Sequence, residues 1–155
     1  MQSINSLIKR LKQDHPGFVF KPADEFWWSA ATQTVYYDPS VRDCHAFCLH
    51  ELSHALLGHQ GYSYDINLIK LERNAWDYAK NALAPLYGVP IPDDIIQDNL
   101  DTYRAWLHAR SICPQCETTG VQMNSQHYRC LGCGHTWRAN EARQRALRRY
   151  SVTSK

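Results

Sequence analysis

Cys44-His-Ala-Phe-Cys48-Leu-His50-Glu51-Leu-Ser-His54-Ala-Leu-Leu-Gly58 is the stretch on which the reading of this chain turns. Histidines four residues apart on a helix lie about 40° apart around the axis, so His50 and His54 share a face and can grip a single metal ion. Glu51 sits beside them. Ala46-Phe47 and Ala55-Leu56-Leu57 flank the motif with apolar residues, which predicts a buried helix rather than a solvated one. Ser40 and Asp43 resemble a capping box with Asp in place of Glu, and Gly58 is a stop signal, so the predicted helix runs from Ser40 to Gly58. In sites of this kind zinc acidifies water and the neighbouring glutamate takes the proton, which yields a nucleophile for a peptide carbonyl.

A catalytic zinc takes three protein ligands and keeps one position open, and His59, Asp65, Glu72 and Asp77 are the candidates for the third. On a continuous helix His59 would point about 160° from the mean His50/His54 direction, and only a break at Gly58 could bring it back. Its spacing also misses H-E-x-x-H-x-x-G-x-x-H, because the glycine falls four residues after His54. It reads as a helix-end histidine. Glu72 lies on a second predicted helix, Asp65 to Ala84, reached through Gly61-Tyr-Ser-Tyr64 by a chain long enough to return antiparallel. Ala75 and Ala79 share its face and permit close approach, so Glu72 is favoured. Cys44 and Cys48 project about 100° and 140° from the histidine direction and read as buried structural cysteines. Tyr62, Tyr64, Tyr103 and His108 stay open as donors to a tetrahedral oxyanion.

Outward from this helix, Ile4, Leu7, Ile8 and Leu11 predict an amphipathic helix from Ser3 to about Asp14. Phe18 to Phe20, Phe26 to Trp28 and Thr32 to Tyr37 are aromatic or β-branched runs expected to form a small antiparallel meander. A third helix is expected from Pro92 to about Arg110. With 155 residues, 44% hydrophobic and 21% charged, the chain has material for a core, which excludes wholesale disorder. No run reaches the roughly 18 apolar residues of a membrane span, and the first helix lacks an apolar signal core, so no membrane role and a cytoplasmic location are expected.

Charge divides the chain. Residues 1–110 hold 10 Lys+Arg against 13 Asp+Glu, a net −3, whereas residues 111–155 hold 7 against 2, a net +5. Cys113-Pro-Gln-Cys116 and Cys130-Leu-Gly-Cys133 lie on the basic side, separated by 13 residues. Paired C-x-x-C motifs at that spacing predict a zinc ribbon: four thiolates close the coordination sphere, and the metal supplies folding energy a module of this size lacks. The expected organisation is a metallopeptidase domain over 1–110, a zinc ribbon over 111–138 and a basic helical tail over 139–155, with two zinc ions per chain, one catalytic and one structural. Tyr128 and Trp137 are either base-stacking platforms or the minimal core of the ribbon. Arg129, Arg138 and a basic helix face of Arg145, Arg148 and Arg149 are the expected nucleic-acid contacts, most favourably to a single strand.

His50-Glu-Leu-Ser-His54 followed by Glu72-Arg-Asn-Ala75-Trp-Asp-Tyr78-Ala79-Lys-Asn-Ala82-Leu83-Ala-Pro85 resembles the ImmA/IrrE metallopeptidases, whose pattern is H-E-x-x-H and then E-x-x-A-x-x-F-A-x-x-L-L-x-P. The likeness spans about residues 30–110. Tyr78 replaces the usual Phe, Ala82-Leu83 the usual Leu-Leu, and Ala84 a common Met. The resemblance implies an α+β, zincin-like fold, zinc held by His50, His54 and Glu72, and Glu51 as catalytic general base. It further implies an endopeptidase that cleaves helix-turn-helix repressors and so derepresses stress, mobile-element or anti-phage genes. Two alternatives stand beside it. A SprT-like, DNA-associated protease would share the chemistry but use a histidine as third ligand. A non-catalytic zinc-containing nucleic-acid-binding module would keep the metal for structure alone. Trp76 occupies the position, four residues after Glu72, where thermolysin-type enzymes carry an aspartate.

Overall fold

The computed structural model describes residues 2–140, 147 and 149–152, and it is a mixed α+β protein of two compact units. The first unit comprises residues 1–60 and 71–96, and the second residues 61–70 and 97–155. The helices over Asp65–Tyr78 and Asp93–Ser111 each contribute to both.

In the first unit, α1 (Ile4–Asp14) begins at Ser3, whose hydroxyl accepts the Ser6 backbone N–H, and buries Leu7, Ile8 and Leu11. Strands β1 (Val19–Pro22), β2 (Trp27–Ser29) and β3 (Thr34–Tyr37) form one sheet in the order β1-β3-β2. The expected antiparallel meander is corrected here: β2 and β3 are antiparallel, but β1 pairs with β3 in parallel, Phe20 opposite Val35. The reason lies in which strand most needs cover. Thr34, Val35 and Tyr37 are buried, so β3 gains most from the centre, whereas Pro22, with no N–H to donate, suits an edge.

Helix α2 (Cys44–Leu56) starts later than the expected Ser40. Ser40 instead turns back on Asp38, with both its backbone N–H and its hydroxyl donating to that carboxylate, so no capping box forms and Asp43 makes no side-chain cap. Helix α3 (Asp65–Tyr78) continues through a widened π turn at 79–83 into α4 (Ala84–Tyr87). There the Ala84 N–H reaches the Ala79 carbonyl five residues back, which accommodates Pro85, a residue unable to donate within the helix. Ala75, Trp76 and Ala79 are fully buried.

In the second unit, α5 (Asp93–Ser111) places Tyr103 and Leu107 against Leu68. The ribbon follows as an antiparallel sheet in the order β4 (Val121–Gln122), β5 (His127–Arg129), β6 (Thr136–Ala139) and β7 (Arg149–Ser151). Its core is Cys113, Tyr128, Cys130, Trp137 and Ala139. Tyr128 and Trp137 stack with centroids 5.6 Å apart, and the Trp137 indole donates to the Arg110 carbonyl. Both rings are therefore ribbon core rather than base-stacking platforms. Arg110 is fully buried yet satisfied: Nε donates to the Tyr128 hydroxyl, Nη1 to the Asn140 carbonyl and Nη2 to the Ser125 carbonyl. Gly120 is required by packing, since a Cβ there would lie 2.4 Å from the Trp137 ring and 2.8 Å from the Arg129 carbonyl oxygen. The expected helical tail is corrected at Arg149–Ser151, which is strand β7 paired to β6; Arg145 and Arg148 lie outside the described residues.

Candidate metal centres

Among the described residues two clusters of ligating side chains can hold a metal ion, and both have a donor set compatible with zinc. In the first unit, successive turns of α2 bring His50 and His54 onto one side, and α3 supplies Glu72. His50 Nε2 lies 2.9 Å from Glu72 Oε2, His54 Nε2 lies 3.4 Å from the same oxygen, and the two Nε2 atoms are 3.2 Å apart. Tetrahedral ligands at the usual Zn–N and Zn–O lengths of about 2.0–2.1 Å stand about 3.3 Å from one another, so the three atoms already have the spacing of a shared cation. All three residues are buried. Burial alone would raise the Glu72 carboxyl, but hydrogen bonds and positive charge from His50 and His54 outweigh it and hold the group at about 2, which keeps an anion at the cluster. Glu51 is 8% exposed, with Oε1 4.0 Å from His50 Nε2.

The surroundings of the two histidines differ. The His50 ring stacks on Trp76 at 4.1 Å and 17°, and its Nδ1 has no hydrogen-bond partner among the described residues. Trp76, one helical turn past Glu72, thus covers the face of a ligand ring. His54 Nδ1 instead meets His59 Nδ1 at 2.9 Å. Burial, more than the charge of neighbouring His54, holds His59 below its ordinary value. His59 is not among the converging ligands, in keeping with the preference for Glu72. Its link to His54 was outside the sequence reading, although the helix-ending Gly58 immediately before it was the available signal. A cavity of about 470 Å³ opens beside His59, lined also by Leu57, Asn74, Asp77, Tyr78 and Asn81. Cys44 and Cys48 are buried and stand apart from the cluster; burial raises both thiols, Cys48 more strongly. Asp65 and Asp77 are likewise not among the ligands, and Asp65 receives the Tyr128 hydroxyl.

In the second unit, Cys113, Cys116, Cys130 and Cys133 converge. Cys113 and Cys133 Sγ are 3.8 Å apart and Cys116 and Cys130 Sγ 3.4 Å, against about 3.8 Å for tetrahedral thiolates at a Zn–S length of about 2.3 Å. The two knuckles repeat one backbone design. Glu117 N–H donates to the Cys113 carbonyl and Gly134 N–H to the Cys130 carbonyl, and both residues adopt positive φ, 61° and 76°. The amides of Gln115, Gly132 and Cys133 point at cysteine sulfurs. Hydrogen bonds from Thr118 draw Cys116 down to about 6. At Cys133 a backbone hydrogen bond at His135 pulls down, but local desolvation and three neighbouring sulfurs prevail and push it up to about 12. Four thiolates this close need a cation to ionise together, which is the fit expected of a structural zinc.

Arg129 and Arg138 are exposed and, by strand register, share the outer face of the ribbon with His127 and Tyr150; the Arg138 guanidinium lies 4.8 Å over the Tyr150 ring. Arg149 is opposite Ala139 on the other face and donates to the Ile112 carbonyl. No helix among the described residues is long and apolar enough to cross a membrane. Compared with models of protein families, with curated proteins and with solved structures, the chain matched none.

Proposed function

We propose that this chain is a zinc-dependent endopeptidase of the ImmA/IrrE kind and that its substrate is a helix-turn-helix repressor. The observation that carries the reading is the convergence of His50 Nε2, His54 Nε2 and Glu72 Oε2 beside the Glu51 carboxylate. Three protein ligands from two helices leave one position for water or substrate, as catalytic rather than structural zinc requires. When bound, zinc supplies Lewis acidity toward water and the scissile carbonyl. The rest falls to the chain. His50 and His54 would offer Nε2 to the metal, Glu72 contributes negative charge, and Glu51 receives a proton from the attacking water and delivers it to the departing amine. Glu72 as third ligand favours this reading over the SprT-like alternative, which requires histidine there. The substrate class rests on the motif resemblance alone.

Glu51→Gln tests the reading, because it preserves size and removes the proton acceptor. Zinc content and circular dichroism should be unchanged, while cleavage of a helix-turn-helix repressor encoded beside this chain's own gene should fall by about 10²–10⁴-fold. Undiminished cleavage removes Glu51 from the mechanism. No cleavage by the parent chain, with both metals present, returns the site to the structural alternative.

A nucleic-acid partner is the second reading, favoured by the shared outer face of Arg129, Arg138, His127 and Tyr150. Tyr150, 42% exposed, would stack on an unpaired base, with the two arginines on phosphates. Labelled single- and double-stranded oligonucleotides titrated against the full chain test it; equal, salt-independent affinity for both would exclude this face.

A further inference from the structure

We propose that His59 is a positioning residue for the metal centre: its Nδ1 accepts the Nδ1–H of His54 and locks that ring in the tautomer whose Nε2 lone pair is free for the metal. The inference rests on the reading that His50, His54 and Glu72 hold zinc.

Three observations carry it. First, the two Nδ1 atoms are 2.9 Å apart while His54 Nε2 faces His50 Nε2 at 3.2 Å and Glu72 Oε2 at 3.4 Å. One edge of the ring is thus turned to the ligands and the other to His59. A ring that gives Nε2 to a metal must carry its proton on Nδ1, and that proton has His59 Nδ1 as acceptor.

Second, the backbone delivers His59 to this place by a defined helix stop. Gly58 adopts φ +69°, its N–H donates to the Ala55 carbonyl, and the His59 N–H donates to the His54 carbonyl at 3.0 Å. These are the two bonds of a Schellman motif, which folds the residue after the glycine back over the last helical turn. His59 therefore returns to His54, from which a continuous helix would have directed it away.

Third, His59 is anchored independently of the site. The Trp28 indole, on β2, donates to the His59 carbonyl at 3.0 Å. The imidazole is thus held from its N–H, its carbonyl and its ring, as a fixed acceptor should be, and the sheet is tied to the orientation of a ligand. Among the described residues His50 Nδ1 has no such partner, and its ring is stacked on the Trp76 face, so the two ligand rings are oriented by different means.

The test compares His59→Phe, which keeps a ring and removes the acceptor, with His59→Asn, whose Oδ1 can occupy the Nδ1 position. In the full chain with the ribbon zinc in place, the zinc affinity of the His50/His54/Glu72 centre is read by competition with a chromophoric chelator. Loss of an outer partner of a ligating histidine lowers metal affinity by about 10–100-fold, so that is expected for His59→Phe, with His59→Asn restoring most of it. In the zinc-loaded parent chain, nitrogen NMR should show a protected His54 Nδ1 proton coupled to His59 Nδ1. Unchanged affinity in His59→Phe, in a chain that binds two zinc ions, overturns the proposal and leaves the metal reading intact. If neither variant folds, the coupling in the parent chain decides, and its absence overturns the proposal. A parent chain that retains only the ribbon zinc overturns the metal reading and this proposal with it.

Discussion

The helix-borne cluster and the ribbon cluster both offer protein donors to a cation, and they do so in opposite ways. His50, His54 and Glu72 are buried and come from two helices, with Trp76 stacked on the His50 ring and Ala75 and Ala79 fully buried along the same stretch of chain. The four cysteines come from two local turns, and Cys116 and Cys133 are exposed. The first set is carried by a fold that has other reasons to exist. The second set belongs to a module with little core of its own: among the described residues its buried cluster is Cys113, Tyr128, Cys130, Trp137 and Ala139, two of them candidate ligands. Coordination follows the same division: three mixed donors leave a place for chemistry, whereas four thiolates leave none. A metal can be functional where the scaffold is already paid for, and structural where it is not.

The contrast is sharpened first by removing ligands. Cys113→Ser with Cys116→Ser should unfold the ribbon, because structural zinc contributes on the order of 10 kcal/mol to such modules. Elemental analysis should fall from about two zinc ions to about one, with loss of Trp137 near-ultraviolet dichroism. Survival of that signal breaks the comparison at its stronger end. Glu72→Ala should do the reverse, emptying the helix centre while the ribbon keeps its metal. Its effect on the thermal midpoint should be smaller, because the buried helices remain. A chain that loses both metals together would show that the two sites are not independent.

Packing tests come next. Gly120→Ala forces a methyl against the Trp137 ring and the Arg129 carbonyl, and should destabilise the ribbon by about 1–3 kcal/mol without altering metal content at the helix centre. The smallest effect is expected at Glu117, a non-glycine residue at φ +61° in the place where the second knuckle has Gly134. Glu117→Gly should stabilise the ribbon by up to about 1 kcal/mol by relieving left-handed strain, a rise measurable by chemical denaturation. Destabilisation there would mean that the two knuckles are less alike than their hydrogen bonds.

Much of the architecture was legible because it is local. The i, i+4 histidines, the paired C-x-x-C turns and the apolar stripes of α1 and α5 each depend on spacing within a few turns, and the structure brings those ligands together. Glu72 was legible for a related reason: an antiparallel return and small residues at Ala75 and Ala79 constrain where a helix can come close. Within the basic tail, Arg149–Ser151 departs from the expected helix because a strand needs a partner that no local pattern names, and β6 supplies one.

What the sequence by itself determined is the donor chemistry and its grouping, since side-chain identity and turn-scale spacing do not wait on the rest of the chain. Tertiary structure decided everything that depends on which element lies beside which. It put β3 rather than β2 at the centre of the sheet, turned Tyr128 and Trp137 into core, and gave buried Arg110 its three acceptors. It also brought His59 back onto His54. A helical wheel assumes that the helix goes on, and Gly58 ends it; the direction of the next side chain was then set by a left-handed glycine and by Trp28, reaching across from a strand 31 residues away.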